Sequence, residues 1–397
     1  MSNTKIRENC RCGICESKNL EPVIKLPNFP ITGVFVSESA PGPIQGFDQT
    51  LMMCCDCSHM QLSHVIPPAQ LYGNDYTHRS SASHITPTAF SDILKYLNEL
   101  RPDQRFRSIL EIGCNDLMLL TKLSKLADQV VGIDPIWIGK EDDAEKAKNM
   151  RVIGNYLEKV QLSKELTISP DIVISTHNLE HIEEPVLQIR RLLDAADDDA
   201  IFLIEVPDSE IMVRNLRFDQ VFHQHIHYFN ISTFLKMLEE AGGYYFSHRV
   251  HPGNWGGTIA VAFTKKPNGV KVPQTKAVTA EKVKKQFNLF KRKMLDFTQT
   301  VVALEGPVYA YGAAQMLPTL AYHMESNLAF LNGILDDCKF RPGLTYPHIP
   351  VRIKRPEEIN DIHNATVIIT ALDAVRPITK RLRDFGPAYI TTPVQFY

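Results

Sequence analysis

The sequence has no block of lysine and arginine residues, and its formal net charge over 397 residues is only −2. A basic patch is the usual electrostatic signature of nucleic-acid and anionic-membrane binding, so composition supports neither kind of partner. No apolar run approaches the roughly 18 residues that span a bilayer. The first ten residues, MSNTKIRENC, lack the apolar segment of a secretory signal. We therefore expect a cytoplasmic protein with no nucleic-acid or membrane partner.

The chain also lacks internal repeats and low-complexity tracts, while its 44% hydrophobic content is sufficient for two or three ordinary cores. Predicted strands and helices alternate through most of the chain, which is typical of an α/β protein with a doubly wound sheet. We predict an N-terminal module over residues 1–72, a doubly wound domain over 73–272 and a Rossmann-like domain over 273–397. A long helix at about 279–304 would bridge the last two parts.

Cysteine is scarce beyond residue 57, because six of the eight cysteines lie within the first 57 residues. Two CxxC pairs stand out, Cys12 with Cys15 and Cys54 with Cys57. A CxxC turn presents two thiolates on one side of a tight knuckle, and two knuckles form a tetrahedral site that suits Zn²⁺. Four thiolates close the coordination sphere, so the pattern predicts a structural zinc site. The alternative is a set of reduced cysteines without a metal.

A dinucleotide-binding GxGxxG motif is absent, and SILEIGCNDLMLL stands where a strand meets a helix. The strand ends near Glu111, and Gly113 permits a tight turn whose backbone N–H groups face the carboxyl edge of the sheet. Asp134 ends the next strand in VVGIDP, where an acid can accept both hydroxyls of a ribose. This ExGxN pattern, with Asn115, is typical of class I methyltransferases that bind S-adenosylmethionine (SAM). The alternative is a Rossmann fold that binds another ligand.

The segment STHNLEHIEEP follows the fourth predicted strand. It would bring Asn178, Glu180 and His181 to the edge of the sheet that also carries Asp134, where doubly wound folds place their sites. We predict a cofactor contact for Asn178. His181 is an active-site candidate, and the alternative is that it caps the helix that begins near Glu183.

The segment FDQVFHQHIHYFN contains His223, His225 and His227 at alternate positions. On a strand, the three imidazoles would share one face, which is the geometry of an HxH metal pair, but no acid or fourth ligand stands nearby. The same pattern also suits buried structural histidines or a catalytic base with its neighbours. These three interpretations stay open from the residues alone.

Taken together, these segments resemble the sugar C-methyltransferases of antibiotic and polysaccharide pathways, which include the 3-C-methyltransferases of tetronitrose and mycarose biosynthesis. The resemblance spans nearly the whole chain, from the CxxC pairs through YGNDYTHRSSAS, EIGCND, GIDP, NLEHIEEP, FHQHIHYF and NWGGTIAV to YAYGAAQMLPTL and GILDD. It implies a zinc module, a class I SAM-methyltransferase domain and a C-terminal Rossmann-like domain. It also implies methylation of C3 of a nucleotide-linked 4-keto-deoxysugar, which the C-terminal domain helps to hold.

The resemblance assigns the role of general base to His225, the second histidine of a YHEH-like family motif. Tyr76 of NDYTH and His181 match two other active-site positions of the family. We also include His223 and Gln224, which belong to the same motif, among the catalytic candidates.

Three positions depart from the family pattern. Phe222 replaces a tyrosine, Gln224 a glutamate and Leu117 a glycine. The first two changes remove a hydroxyl and a carboxylate that would act near the base. They leave open a SAM-dependent methyltransferase with another polar acceptor, or a catalytically silent nucleotide-binding scaffold. A monomer or a homodimer is expected.

Overall fold

A computed structural model of the chain describes residues 6–71, 79–83, 85–144 and 147–394. The strands are β1 (Arg7–Glu8), β2 (Leu20–Pro30), β3 (Gly46–Cys54), β4 (Met60–Leu62), β5 (His64–Val65), β6 (Phe106–Ile112), β7 (Ala127–Ile133), β8 (Met150–Ile153), β9 (Ile172–Thr176), β10 (Ile201–Pro207), β11 (His227–Tyr228), β12 (Tyr244–His251), β13 (Thr258–Thr264), β14 (Val308–Tyr311), β15 (Gly333–Leu335), β16 (Ile353–Lys354), β17 (Thr366–Ile369) and β18 (Tyr389–Thr391). The α-helices are α1 (Pro68–Leu71), α2 (Thr86–Leu100), α3 (Met118–Leu123), α4 (Leu162–Glu165), α5 (Pro185–Ala195), α6 (Ser209–Arg214), α7 (Ile231–Ala241), α8 (Ala280–Val302), α9 (Leu317–His323) and α10 (Val375–Phe385). Within the described ranges, no helix is long and apolar enough to cross a membrane.

The central sheet has the strand order β12-β13-β10-β9-β6-β7-β8. Strands β6 to β10 are parallel, and β13 runs antiparallel to both of its neighbours. Most residues of the parallel strands are buried because helices cover both faces of the sheet, α5 and α7 on one side and α2 and α3 on the other. The chain order reverses between β6 and β9, so the crevice at their carboxyl ends is the expected ligand site. The predicted doubly wound α/β fold is confirmed.

The N-terminal sheet has the order β11-β4-β3-β2. Its outer strand β11 comes from the segment that contains the three alternating histidines, with His227 opposite Gln61 and Tyr228 opposite Met60. Residues far beyond position 72 therefore complete the sheet of the zinc module. The pairing places the histidine segment between this module and the central sheet.

The C-terminal sheet is entirely parallel, with the order β16-β15-β14-β17-β18. Helix α8 leads to it and begins after Thr279, whose side chain accepts a hydrogen bond from the N–H of Lys282 as an N-cap. One apolar core joins the N-terminal sheet, α8 and the C-terminal sheet, and it includes Phe29, Phe290 and Leu317. Burial of this shared core holds the three parts against one another.

The polar segment EDDAEKAKNM stands between two predicted strands, where the α/β alternation predicts a helix. Its described residues instead contain a 3₁₀ turn over Glu141–Ala144, and Met150 begins β8. Ala144 is the buried residue of that turn, so the segment has no apolar stripe that would stabilise a longer helix by packing.

Candidate active site

The four cysteines of the CxxC pairs converge within the N-terminal module. Their sulfur atoms all lie within 4.8 Å of one another, with 3.6 Å between Cys12 and Cys57 and 3.5 Å between Cys15 and Cys54. A tetrahedral zinc with Zn–S bonds of about 2.3 Å requires S–S separations of about 3.8 Å. The donor set therefore fits zinc, which these four thiolates would hold in a closed structural site.

The turn between β6 and α3 forms a cradle at the crevice. Gly113 has φ +75°, and a Cβ at this position would lie 2.9 Å from the Nδ2 atom of Asn178. Asn115 (φ +40°) and Leu117 (φ +66°) also adopt left-handed conformations, which bend the chain sharply before the helix. Leu117, where the family has glycine, is fully buried, so its side chain packs into the core below the turn.

Asp134 stands at the end of β7 beside this turn. Its two carboxylate oxygens accept hydrogen bonds from the backbone N–H groups of Asn115 (2.8 Å) and Ile136 (2.9 Å). Each oxygen keeps a second lone pair for a hydroxyl group. Asp134 thus ties the turn to the strand end and stays placed to accept from a ribose.

Glu111 lies below the turn and is 2% exposed. Burial raises its pKa well above the ordinary value, and the nearby charges of Asp134 and Asp116 add to this effect. Its Oε2 atom has no hydrogen-bond partner among the described residues. A buried acceptor without a donor, next to a glycine cradle, fits a bound ligand such as SAM.

A second group of polar side chains lies at the end of β9, the neighbouring strand. Glu180 is 1% exposed, and three imidazoles surround its Oε1 atom. The distances are 3.5 Å to Nδ1 of His177, 3.8 Å to Nε2 of His225 and 4.0 Å to Nε2 of His181. We call these four residues the Glu180 cluster. Glu180, His181 and His225 offer three ligand atoms within 4.8 Å, so the cluster has the donors for proton transfer or for a cation.

The charges within the cluster follow from burial and pairing. Burial lowers the pKa of His177, but Glu180 and Glu205 outweigh it and raise the value to about 10. Burial raises the pKa of Glu180, yet the surrounding imidazoles lower it to about 2. Burial lowers the pKa of His225 well below its usual value, so this imidazole is neutral near pH 7. A neutral imidazole beside a carboxylate is the chemical form that a general base requires.

Two neighbours orient the rings of this cluster. The Nδ1–H group of His181 donates to the backbone carbonyl of Gln224 at 2.7 Å, which leaves Nε2 with its lone pair towards Glu180. The ring of Phe222 lies 4.0 Å from that of His225, centroid to centroid. Phe222 therefore contributes an apolar wall where the family tyrosine would contribute a hydroxyl.

The structure does not bring the other candidates of the histidine segment to the cluster. His223 is 1% exposed, and its Nε2 atom donates to the carbonyl of Phe29 at 2.9 Å. Gln224 bonds Thr32 of the N-terminal module at both ends of its amide. His227 contacts Nε2 of His59 at 3.0 Å through Nδ1. The expectation of one shared strand face is wrong, since the chain turns at Phe222–His225.

Sequence reasoning also missed two residues of the cluster region, and one candidate cannot be placed. His177 and Glu205 were not predicted, although a charged residue inside the apolar run IFLIEVP is a recognisable signal for Glu205. Tyr76 lies outside the described residues.

The segment YAYGAAQMLPTL predicts a strand, a turn at Gly312 and a helix whose N-terminus could bind an anion such as a diphosphate. Helix α9 begins five residues after this glycine, at Leu317. The N–H group of Ala313 donates to the carboxylate of Asp336 at 2.7 Å, and Nη1 of Arg341 lies 3.5 Å from the same carboxylate. An acid and a cation therefore share this turn, and anion binding here stays a prediction.

Comparison with known proteins finds matches to two parts of the chain. Residues 84–246 match a family model described as "Methyltransferase domain", and residues 12–72 match one described as "Putative zinc binding domain". The C-methyltransferase NovU of Streptomyces niveus is 23% identical over 253 residues, which cover 60% of this chain and 56% of NovU. The chain thus matches little more than half the length of this curated relative. These matches confirm the predicted family resemblance.

Solved methyltransferase structures also resemble part of the chain. The N-methyltransferase NodS from Bradyrhizobium japonicum WM9, in complex with S-adenosyl-L-homocysteine, covers 48% of this chain and 93% of its own at 12% identity and a TM-score of 0.38. The plantazolicin methyltransferase BpumL, in complex with the same molecule, covers 50% and 93% at 16% identity and a TM-score of 0.39. The C-methyltransferase resemblance rests on the family models and NovU.

Proposed function

We propose that the chain is a SAM-dependent C-methyltransferase that acts on a nucleotide-linked 4-keto-deoxysugar, with C3 as the methylated carbon. The observation that carries this proposal is the neutral, buried imidazole of His225, which lies 3.8 Å from the carboxylate of Glu180 beside the SAM-type cradle. A base in such a site suits proton removal next to a ketone. The name of NovU, a C-methyltransferase, supports the same reaction class.

In the proposed reaction, Nε2 of His225 takes the proton from the carbon next to the ketone. The electron pair of that C–H bond enters the enolate, and the imidazolium that forms faces Glu180. SAM, when bound, supplies an electrophilic methyl group to which the nucleophilic carbon can bond. Gly113, Asn115 and Asp134 would hold it in line, with further contacts from Glu111 and Asn178.

His181 has a more specific role than the sequence suggested. Its Nδ1–H group is engaged by the carbonyl of Gln224, so it can donate to an enolate oxygen only through a protonated Nε2. We therefore assign His181 to oxyanion stabilisation through Nε2, with Tyr76 as a second donor.

His223 and Gln224 serve a positioning role in this proposal. Both side chains bond the N-terminal module and hold the turn that carries His225. The cytoplasmic location and the monomeric or homodimeric state stay predictions.

The test is mass spectrometry of reactions that contain SAM with an isotope-labelled methyl group and a panel of 4-keto-6-deoxysugars linked to dTDP or GDP. Label on a sugar carbon would support the proposal and identify the carrier. His225→Asn is expected to abolish labelling while SAM binding, measured by calorimetry, is retained. Binding of SAM by the wild type without label on any sugar would instead favour another polar acceptor or a silent scaffold.

A further inference from the structure

We infer that Glu180 is the carboxylate partner of the base His225, and that His177 holds Glu180 in place as a positioning residue. This inference rests on the proposed role of His225 and adds the groups that set its basicity. The family glutamate has become Gln224 here, and the side chain of Gln224 points towards Thr32 rather than towards the base. Glu180, which follows β9, supplies a negative charge beside His225 instead.

The carboxylate of Glu180 is directed at the imidazoles of His177, His181 and His225. The backbone carbonyl of Glu180 accepts from the N–H of Ile226 at 2.8 Å, which joins the β9 end to the histidine segment. Neither carboxylate oxygen has a hydrogen-bond partner among the described residues, although the residue is 1% exposed. A buried carboxylate without hydrogen bonds requires positive charge nearby, and three imidazoles surround the carboxylate of Glu180.

His177 is held between two carboxylates. Its Nδ1 atom lies 3.5 Å from Glu180, and its Nε2 atom lies 3.5 Å from Oε1 of Glu205. The backbone of His177 has φ +50°, a conformation that non-glycine residues rarely adopt. Its imidazole ring packs edge-on against the ring of Trp255, with 4.4 Å between the ring centroids. The surrounding structure therefore maintains an unusual backbone geometry that places this imidazolium between the two acids.

Glu180 supplies the negative charge among the described groups that face His225, with its Oε1 atom 3.8 Å from Nε2 of the base. His177 and His181 face the same imidazole and act in the opposite direction, and the ring centroid of Tyr228 is 6.4 Å away. The carboxylate of Glu180 therefore stabilises the imidazolium that forms at His225 during proton abstraction.

Glu180→Gln and Glu205→Gln provide a matched test, because each removes one negative charge at a different distance from His225. Loss of the adjacent carboxylate of Glu180 is expected to lower the pKa of His225 by about 1–3 units. The acid limb of the kcat/KM profile then moves to lower pH, and the plateau rate falls by roughly 100-fold. Glu205→Gln is expected to shift the limb by less than about half a unit, since His177 separates it from the base.

The pKa of His225 is also measurable without turnover, by NMR titration of ¹³C-labelled histidine with assignment through the signal lost in His225→Asn. An unchanged pKa of His225 in folded Glu180→Gln would overturn the inference. Should Glu180→Gln fail to fold, Glu180→Asp is expected to give a smaller shift of the same sign, and no shift would again overturn it. If the NMR shift is present but no keto-sugar is methylated, the charge partnership holds and the proposed function fails.

Discussion

Restoring the family glutamate with Gln224→Glu is expected to destabilise the protein without accelerating methyl transfer. In the structure, Oε1 of Gln224 accepts from the hydroxyl of Thr32 at 3.0 Å, and Nε2 donates to the carbonyl of Thr32 at 3.3 Å. A glutamate keeps the first bond, but its second oxygen faces the carbonyl as another acceptor. The residue is 3% exposed, so this lost donor and the buried charge cost about 2 kcal/mol.

The cost should depend on pH, because a protonated glutamate can still donate to the carbonyl of Thr32. Burial raises the folded-state pKa of the new carboxyl above its unfolded value of about 4.3. The stability of the variant is therefore closest to wild type below that pH and falls as pH rises through the folded pKa. At pH 8 we expect the melting temperature to drop by roughly 2–3 °C, measured by scanning calorimetry.

Gln224→Leu is the matched control, since it removes the same bonds without adding a charge and should show a loss that is independent of pH. The reasoning would be refuted if Gln224→Glu were as stable as wild type at pH 8. A faster methyl-transfer rate in that variant would also refute it, because it would mean that this side chain reaches the base.

Three further predictions concern the remainder of the site and its supports. Removal of the metal by chelation, or Cys54→Ser, is expected to lower the melting temperature and abolish methyl transfer together, because the zinc module shares a sheet with the histidine segment. Full activity in protein that metal analysis shows to be zinc-free would contradict this expectation. Leu117→Gly relieves a left-handed backbone conformation that costs about 1–2 kcal/mol, but it deletes a buried leucine side chain that contributes about 2–5 kcal/mol. Urea unfolding should therefore show a net loss of about 1–3 kcal/mol in the free energy of unfolding. A stabilised variant would contradict the packing argument. Arg217→Leu removes the guanidinium that lies 2.8 Å from the buried carboxylate of Asp219. This change should lower the free energy of unfolding by about 3–5 kcal/mol, measured in urea. A neutral effect would show that Asp219 finds another partner.

Local spacing was sufficient to predict several parts of the site. A CxxC turn brings its own two thiols together whatever surrounds it, and the preference of Zn²⁺ for four thiolates predicted that the two turns would meet. The cradle at Gly113 and the acid at Asp134 follow strands whose last residues are mostly buried, and the turn residues next to them in the chain mark where each strand ends. In these cases the residues that define the geometry are neighbours in the chain.

The histidine segment could not be predicted in the same way. Its alternating pattern suggested a strand, but the contacts that decide its path come from residues 192 and 194 positions away, at Thr32 and Phe29. A turn at Phe222–His225 places His225 towards Glu180, while the adjacent Gln224 bonds the N-terminal module. Contacts between residues so far apart in the sequence override the alternating pattern of the segment, and the segment itself carries no sign of them.

The pairing of β11 with β4 has a consequence for how the chain folds as it is made. His59 and His227, which meet across this junction, are 168 residues apart, so the zinc module emerges from the ribosome long before its fourth strand. Until then β4 presents an unpaired edge, which is a template for unwanted pairing in a nascent chain. Any fragment that ends before residue 227 would keep that edge open, so the N-terminal module and the histidine segment complete their shared sheet only together.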